Sequence, residues 1–458
     1  MDSFNQYKRL IRTGVISLEI LIEAIIFGYI WLEIYNIRMV TPFENKGHWM
    51  MIGFYVLYLI VFVYLYGGTK YAYYRKGQLI LSQTLGTLIA NAVMYVQIII
   101  AFGVFPFPIV WPMLLASAVD FVVIVILNQI SDRMFHRLFP PKRLLVICDL
   151  KNKENLLRKI AGRKDLYEVS KCVSAEEPLG RLKEEVQDCD AMMLYGIEEQ
   201  KRNDLVKYCF EKSIRIYVAP EISDILLRGA DRLHSFDTPF LLLRNYGLSF
   251  EQKLIKRLMD IVLSALMLVA ASPFMLVTAL AIKLEDHGPV LYKQERVTLN
   301  GKKFWIYKFR SMIVDAEKQG ARFSSKNDDR ITKVGRVIRA LRLDELPQLL
   351  NILKGDMSIV GPRPERQTYI DEFCKETPEF TYRLKVKAGL TGYAQIYGKY
   401  NTTPLDKLKM DLMYIENYSL LMDLKLLFMT VKVMFMKEST EGLSKEQLDE
   451  LISKEHVK

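Results

Sequence analysis

Four long apolar stretches, roughly residues 14–35, 49–66, 85–104 and 109–127, crowd the first third of this 458-residue chain. Each approaches or exceeds the ~17–25 residues that cross a bilayer as a helix. The pattern excludes a wholly soluble fold and predicts a four-transmembrane-helix domain over residues 1–135. Glu19, Glu23 and Glu33 interrupt the first stretch, where a carboxylate in lipid is costly. That stretch is also too long and acidic for a signal-peptide core. Lys8, Arg9 and Arg12 precede it, Lys70, Arg75 and Lys76 follow the second, and Arg133, Arg137, Lys142 and Arg143 follow the fourth. The link at 105–108 is uncharged, and Glu44 offsets Arg38 and Lys46. The positive-inside rule then puts both ends of the bundle in the cytoplasm.

Lys plus Arg number 63 against 52 Asp plus Glu, a net charge of +11. Much of this excess is positioning charge at helix ends. No aromatic–basic recognition motif accompanies it, so no nucleic-acid partner is expected. The cysteines, five in number, are scattered and read as free thiols in a reducing compartment. Scattered histidines make zinc improbable, and any metal is expected to be a hard cation on oxygen ligands.

From Pro141 the pattern changes. Apolar segments at 143–148, 167–173, 191–195 and 214–218 alternate with helical ones at 154–161, 177–186 and 197–210. Alternation of this kind predicts a Rossmann-like α/β domain over 141–235 with a parallel sheet. Its first strand runs into Asp149-Leu150-Lys151-Asn152 without a glycine, whereas a dinucleotide site needs bare backbone there. A structural, dimerising or regulatory role is therefore expected, with no cofactor and with a homodimer through this domain as one form of it. Residues 236–250 read as a linker.

Residues 258–282 form a fifth apolar run. Basic residues flank both sides: Lys253, Lys256 and Arg257 before, Lys283 and Lys293 after. Ser272-Pro273 lies within it. Proline removes a backbone donor and bends a helix, and the serine can satisfy the freed carbonyl. The expectation is a re-entrant helix–break–helix that enters one leaflet and returns. A kinked spanning helix is the alternative.

The chemistry-bearing stretch is 328–364, DDRITKVGRVIRALRLDELPQLLNILKGDMSIVGPRP. Asp344-Glu345 stands where a helix should begin, with Asp344 as N-cap, Pro347 in the first turn and Gly355 at the end. Arg336, Arg339, Arg342 and Arg363 surround the pair and should keep both carboxylates ionised. An ionised Asp is a competent nucleophile toward phosphorus, and a neighbouring Glu can hold Mg²⁺. A helix cap plus surface charge is the other reading. Pro362 and Pro364 fix the turn that carries Arg363.

Together these residues resemble the bacterial sugar transferases, the monotopic phosphoglycosyl transferases. The resemblance covers 253–437. It rests on KRLMDIVLS with the Ser272-Pro273 break, Gln294-x-Arg296, YKFRSM at 307–312, DRIT at 329–332, RLDELPQLLNILKGDMSIVGPRPE, KAGLTGYAQ and Asp411-Leu412-x-Tyr414. With the amino-terminal helices and the α/β domain, the chain resembles the large form that primes bacterial polysaccharide synthesis.

The resemblance implies a mostly α catalytic domain over 251–437. It also implies transfer of sugar 1-phosphate from a UDP-sugar to polyprenol phosphate, with release of UMP, on the cytoplasmic face of the bacterial inner membrane. By the same likeness Asp344 is the nucleophile, forming a covalent phosphosugar intermediate, and Glu345 assists with Mg²⁺. Arg339, Lys308 and Arg363 handle phosphates or the uridine end, with Gln294, Arg296 and Arg310 as further substrate-binding candidates. Two positions depart from the family pattern: Thr298 stands where glycine is frequent and Ala388 where proline is usual. The sugar is not named by the sequence; glucose and galactose are first candidates by resemblance. Residues 424–436 read as an interfacial helix or an ordinary packing helix, and 438–458 as a charged tail. A non-catalytic scaffold that recruits assembly proteins is the competing class, and the intact Asp344-Glu345 argues against it.

Overall fold

The computed structural model describes residues 7–71, 73–103, 109–149, 153–235, 237–243, 247–314, 330–399 and 402–436. Several sequence expectations fall outside them: the uncharged link at 105–108, the turn at 150–152, Asp328 and Asp329, Lys437, and the tail. The chain divides into two compact units, the first running to Ala219 and the second spanning Pro220–Gly442.

The first unit opens with α1 (Lys8–Ile30), α2 (Asn45–Leu65), α3 (Lys76–Phe102) and α4 (Trp111–Leu138). All four are long and apolar enough to cross a membrane. A π-helical turn at Trp31–Tyr35 and a 3-10 turn at Asn36–Arg38 prolong α1. Helix α1 packs on α2 and α4, and α3 on the same two.

The acids of α1 are kept from lipid. Glu19 and Glu23, one helical turn apart, face Gln83 and Thr87 of α3, also one turn apart. Gln83 Nε2 donates to Glu19 Oε2 at 2.6 Å, Tyr71 Oη donates to the same oxygen at 2.9 Å, and Thr87 Oγ1 donates to Glu23 at 3.1 Å. Asn91, another turn on, donates to Asp120 of α4 at 3.1 Å and accepts from Tyr55 of α2 at 2.7 Å. Glu33 is exposed.

The α/β part contains β1 (Lys142–Cys148), α5 (Lys153–Ala161), β2 (Tyr167–Ser174), α6 (Leu179–Glu185), β3 (Ala191–Tyr195), α7 (Glu199–Glu211) and β4 (Arg215–Val218). The sheet is parallel throughout, in the order β2-β1-β3-β4. Its central β1 is buried on both faces, as a near-continuous apolar strand should be.

The second unit begins with α8 (Ile222–Arg228) and an antiparallel hairpin of β5 (Asp231–Ser235) and β6 (Thr238–Leu242). Ile225 of α8 joins the core formed by Leu349, Leu412 and Phe380, and Glu221 pairs with Lys409 at 3.1 Å. The stretch 220–228, expected with the α/β domain, thus packs with the unit that follows. Part of the expected linker, 238–242, is a strand.

Helix α9 (Phe250–Asp286) is continuous over 37 residues, and Ser249 and Gln252 form a capping box at its start. Ser272 and Pro273 do not separate two helices: the pair sits inside one helix, at a point where proline bends a helix. The reason is local. Proline lacks the N–H that would reach Val269 O four residues back, and Ser272 Oγ donates to that carbonyl at 2.7 Å. Both flanks of α9 are gripped by the same unit. Lys256 pairs with Asp423 at 2.5 Å, and Asp260 accepts from Ser358 Oγ at 3.0 Å and Ile359 N at 2.9 Å. At the far end Glu285 accepts from Val334 N at 3.2 Å, and Asp286 pairs with Arg310. Between the flanks, Leu266, Val269, Phe274, Leu276 and Val277 are exposed.

Next come an antiparallel hairpin of β7 (Leu291–Val297) and β8 (Lys303–Phe309), then α10 (Lys333–Ala340), α11 (Gln348–Lys354) and β9 (Ser358–Val360). Helix α12 (Gln367–Glu376), β10 (Gly389–Thr391), α13 (Tyr393–Tyr397), α14 (Pro404–Glu416) and α15 (Leu420–Met434) complete it. Strand β10 lies parallel to β9. Gly355 ends α11 at φ 96°, a conformation that favours glycine. Helix α15 buries Leu426 and Met429 and exposes Leu421, Val431, Met434 and Phe435, so it packs inward while presenting an apolar outer side.

Candidate active site

Asp344 and Glu345 do not cap a helix. Leu343–Glu345 forms a 3-10 turn, and α11 begins at Gln348, after Pro347 with its φ of −62°. The turn is entered through Arg342 in the left-handed region at φ 55°, a costly conformation for a residue with a Cβ. The consequence is that both carboxylates face a cavity of about 420 Å³. Lys308 of β8, Arg339 at the end of α10, Arg342, and Arg363 in the turn after β9 line it with them. Val433, Met434 and Met436 supply an apolar edge from the end of α15.

Glu345 Oε1 accepts from Lys308 Nζ at 3.1 Å and from Arg363 at 3.3 Å, and Arg342 approaches Oε2 at 3.9 Å. Burial works against the charge of Glu345, yet Arg363 and Lys308 outweigh it and hold the carboxyl down at about 2. Asp344 goes the other way. Burial and the adjacent Glu345 push its carboxyl above the ordinary carboxylate range, against the pull of Lys308 and Arg339. The two acids, expected to be ionised alike, are therefore split. Burial lowers the Lys308 ammonium, and Glu345 partly counters that.

The arginine turn is held from behind. Arg383 donates to Arg363 O at 3.1 Å and pairs with buried Asp411 at 2.8 Å, while Lys407 binds Glu365 at 2.7 Å. Arg296 donates to Pro364 O at 3.2 Å and to Gln294 Oε1 at 2.6 Å. Pro362 O accepts from Gly389 N at 2.9 Å. Of the sequence candidates, Lys308, Arg339, Asp344, Glu345 and Arg363 thus meet in one cavity. Gln294 and Arg296 lie behind its wall, Arg310 is buried against Asp286, and Arg336 is exposed on α10. Ser272 and Pro273 lie on the exposed part of α9.

Sequence reasoning missed the α15 side of the site. Nothing in a run of valines and methionines marks it as cavity lining. The tyrosine of the late motif, Tyr414, donates to Asp423 at 2.8 Å and accepts from Lys256 at 3.1 Å, so that motif holds α9 and α15 together rather than reaching the cavity.

Residues 251–437 match the bacterial sugar transferase family. The UDP-N-acetylgalactosamine-undecaprenyl-phosphate N-acetylgalactosaminephosphotransferase of Aeromonas hydrophila is 47% identical over 181 residues, 39% of this chain and 43% of that protein. The UDP-glucose:undecaprenyl-phosphate glucose-1-phosphate transferase of Caulobacter vibrioides is 42% identical over 181 residues, 38% of this chain and 68% of that protein. An uncharacterized sugar transferase of Bacillus subtilis, EpsL, is 39% identical over 188 residues, 41% of this chain and 91% of that protein. The chain belongs to the bacterial sugar transferase family and is a membrane protein. It spans less than half the length of the Aeromonas relative.

Proposed function

We propose that this chain transfers sugar 1-phosphate from a UDP-sugar to polyprenol phosphate, undecaprenyl phosphate in a bacterium, giving polyprenyl diphosphate-sugar and UMP. This is the priming step of exopolysaccharide, capsule or O-antigen synthesis. The observation that carries the reading is the adjacent pair Asp344-Glu345 in one cavity lined by Lys308, Arg339, Arg342 and Arg363 and also by Val433, Met434 and Met436. Charged phosphates suit the first set of residues, and a lipid chain suits the second. The names of the Aeromonas and Caulobacter relatives support the same chemistry.

Asp344, once ionised, attacks the sugar-bearing phosphorus of the donor. The phosphorus–oxygen bond to UMP breaks, and its electron pair leaves on the UMP phosphate. A phosphate oxygen of the lipid then attacks the same phosphorus and displaces the Asp344 carboxylate, so the enzyme is regenerated. Arg363 and Lys308 offset charge on the donor's phosphates, and Arg339 favours the ionised form of Asp344. Arg296, Gln294, Pro362 and Pro364 act on substrate through the turn that carries Arg363. Glu345, fixed as an anion, orients Lys308 and Arg363.

The donor set suits Mg²⁺. Among the described residues there is no cluster of three or more His, Cys, Asp or Glu. Mg²⁺ often takes only one or two protein carboxylates and completes its shell with water and substrate phosphate. Asp344 and Glu345 would hold it. When bound, the ion neutralises charge on the diphosphate.

Both flanks of α9 are bound by one folded unit, which supports a helix that bends at Pro273 and re-enters over one that crosses. Basic flanks favour a cytoplasmic position for the catalytic unit and for both ends of the amino-terminal helices. The α/β domain has a structural, dimerising or regulatory part.

The test is to incubate membranes with polyprenol phosphate and a panel of UDP-glucose, UDP-galactose and their N-acetylated forms. UMP release with one donor, and an Asp344-linked phosphosugar found by intact mass, are expected. No UMP from any donor overturns the reading. Cysteine labelling at positions 253 and 293 should report one sidedness; opposite sidedness makes α9 a spanning helix.

A further inference from the structure

Thr298 directly follows β7 and is 3% exposed. Its hydroxyl donates to Asp356 O at 3.1 Å and accepts from Ala388 N at 3.0 Å. Its single donor is thereby engaged, together with one of its acceptor sites. Thr298 and Ala388, the two positions read from the resemblance as departures, are therefore bonded to each other. Glycine at 298 would supply no oxygen, and proline at 388 would supply no N–H.

What the bond reaches is the arginine turn. Ala388 O accepts from Ser358 N at 2.9 Å, Gly389 N donates to Pro362 O at 2.9 Å, and Gly361 N donates to Thr391 O at 2.8 Å. Backbone approach is so close here that a Cβ on Gly361 would collide with Lys387 O, and one on Gly389 with Gly361 N. A shift of residue 388 is thus passed to Gly361 and Pro362, next to Arg363, whose guanidinium lies 3.3 Å from Glu345. We propose that Thr298 and Ala388 form a matched positioning pair that sets the turn carrying Arg363, and through it the grip on the donor's phosphates. This rests on the assignment of Arg363 to the donor given above.

The full-length protein carries the test. Thr298→Val keeps the shape and removes the hydroxyl, leaving the buried Ala388 N–H and the part-buried Asp356 carbonyl without this partner. It should raise the KM for UDP-sugar about tenfold, with the KM for polyprenol phosphate unchanged within about twofold. It should also speed hydrogen exchange at the Ala388 amide. Thr298→Ser should restore both. Thr298→Gly with Ala388→Pro removes donor and acceptor together and should outperform either single change. Equal behaviour of the Val and Ser variants, a fall in kcat with both KM values unchanged, or an unaltered Ala388 exchange rate overturns the pairing. Absence of turnover in the wild type would sink the functional reading instead, and the exchange comparison of Val against Ser would still decide the bond.

Discussion

In the amino-terminal bundle Glu19, Glu23 and Asp120 are buried against amides and hydroxyls, whereas in the catalytic unit Glu345 is buried against Lys308 and Arg363. Both arrangements keep acids out of an apolar medium, with different chemical yields. Neutral donors between helices act as glue, each worth only about 0.6 kcal/mol on average in a bilayer. Cations around one of two adjacent acids fix that acid as an anion, which raises its neighbour. The second arrangement stores an asymmetry that a reaction can use; the first fixes packing.

The largest effect expected of any single change is at Asp344. Asp344→Asn should lower UMP release by at least about 10³-fold, since an amide is a poor nucleophile. Thermal unfolding should be little changed, because this side chain caps no helix. Appreciable turnover, with deamidation excluded by mass, would end the covalent mechanism.

Glu345→Gln should cost on the order of 10²-fold and should also move the pH profile. In the wild type, activity should fall with acid as the raised Asp344 carboxyl takes up its proton. Removing the Glu345 charge frees Lys308 and Arg363 for Asp344, so the acid limb should shift to lower pH. A shift to higher pH would break the account of the split pair.

Whether the chemistry needs the first unit is tested by truncation. A chain beginning at Pro220 should release UMP in detergent. One beginning at Ser249 lacks Ile225 in the core and the Glu221–Lys409 pair, and should be less stable by roughly 2–4 kcal/mol, read by denaturant unfolding. Equal stability of the two would show that α8 does not belong to the catalytic core.

The smallest effect belongs to the bundle. Glu19→Gln and Glu23→Gln retain an acceptor and should leave turnover within about twofold. Glu19→Leu removes the acceptor of the Tyr71 hydroxyl and one partner of Gln83, and should lower stability by about 1 kcal/mol in a detergent melt. Loss of turnover in the Gln variants would mean these acids do more than hold helices.

Much of this was legible in order along the chain. Apolar length marked α1 to α4 and α9, and alternation marked the parallel sheet, because both signals are local and periodic. Asp344 as a helix cap was the local rule that failed. Helix α11 begins only at Gln348, after Pro347, and the acids sit before it on a 3-10 turn instead. The tightest contacts were out of reach for a different reason. Lys256 meets Asp423 across 167 positions and Lys308 meets Glu345 across 37, distances at which no spacing rule operates. Arg296 and Arg310 look like ligand-binding residues in sequence, but carbonyls and carboxylates of the protein already engage them. Residue type alone cannot distinguish a cation awaiting a phosphate from one holding a turn.

The double hold on α9 has a bearing on how such proteins diversify. Every polar clasp on its flanks, from Lys256 and Asp260 to Glu285 and Asp286, closes on a partner inside Pro220–Gly442. The apolar helix and the residues that clasp it therefore lie in one uninterrupted stretch of the gene, and are inherited together.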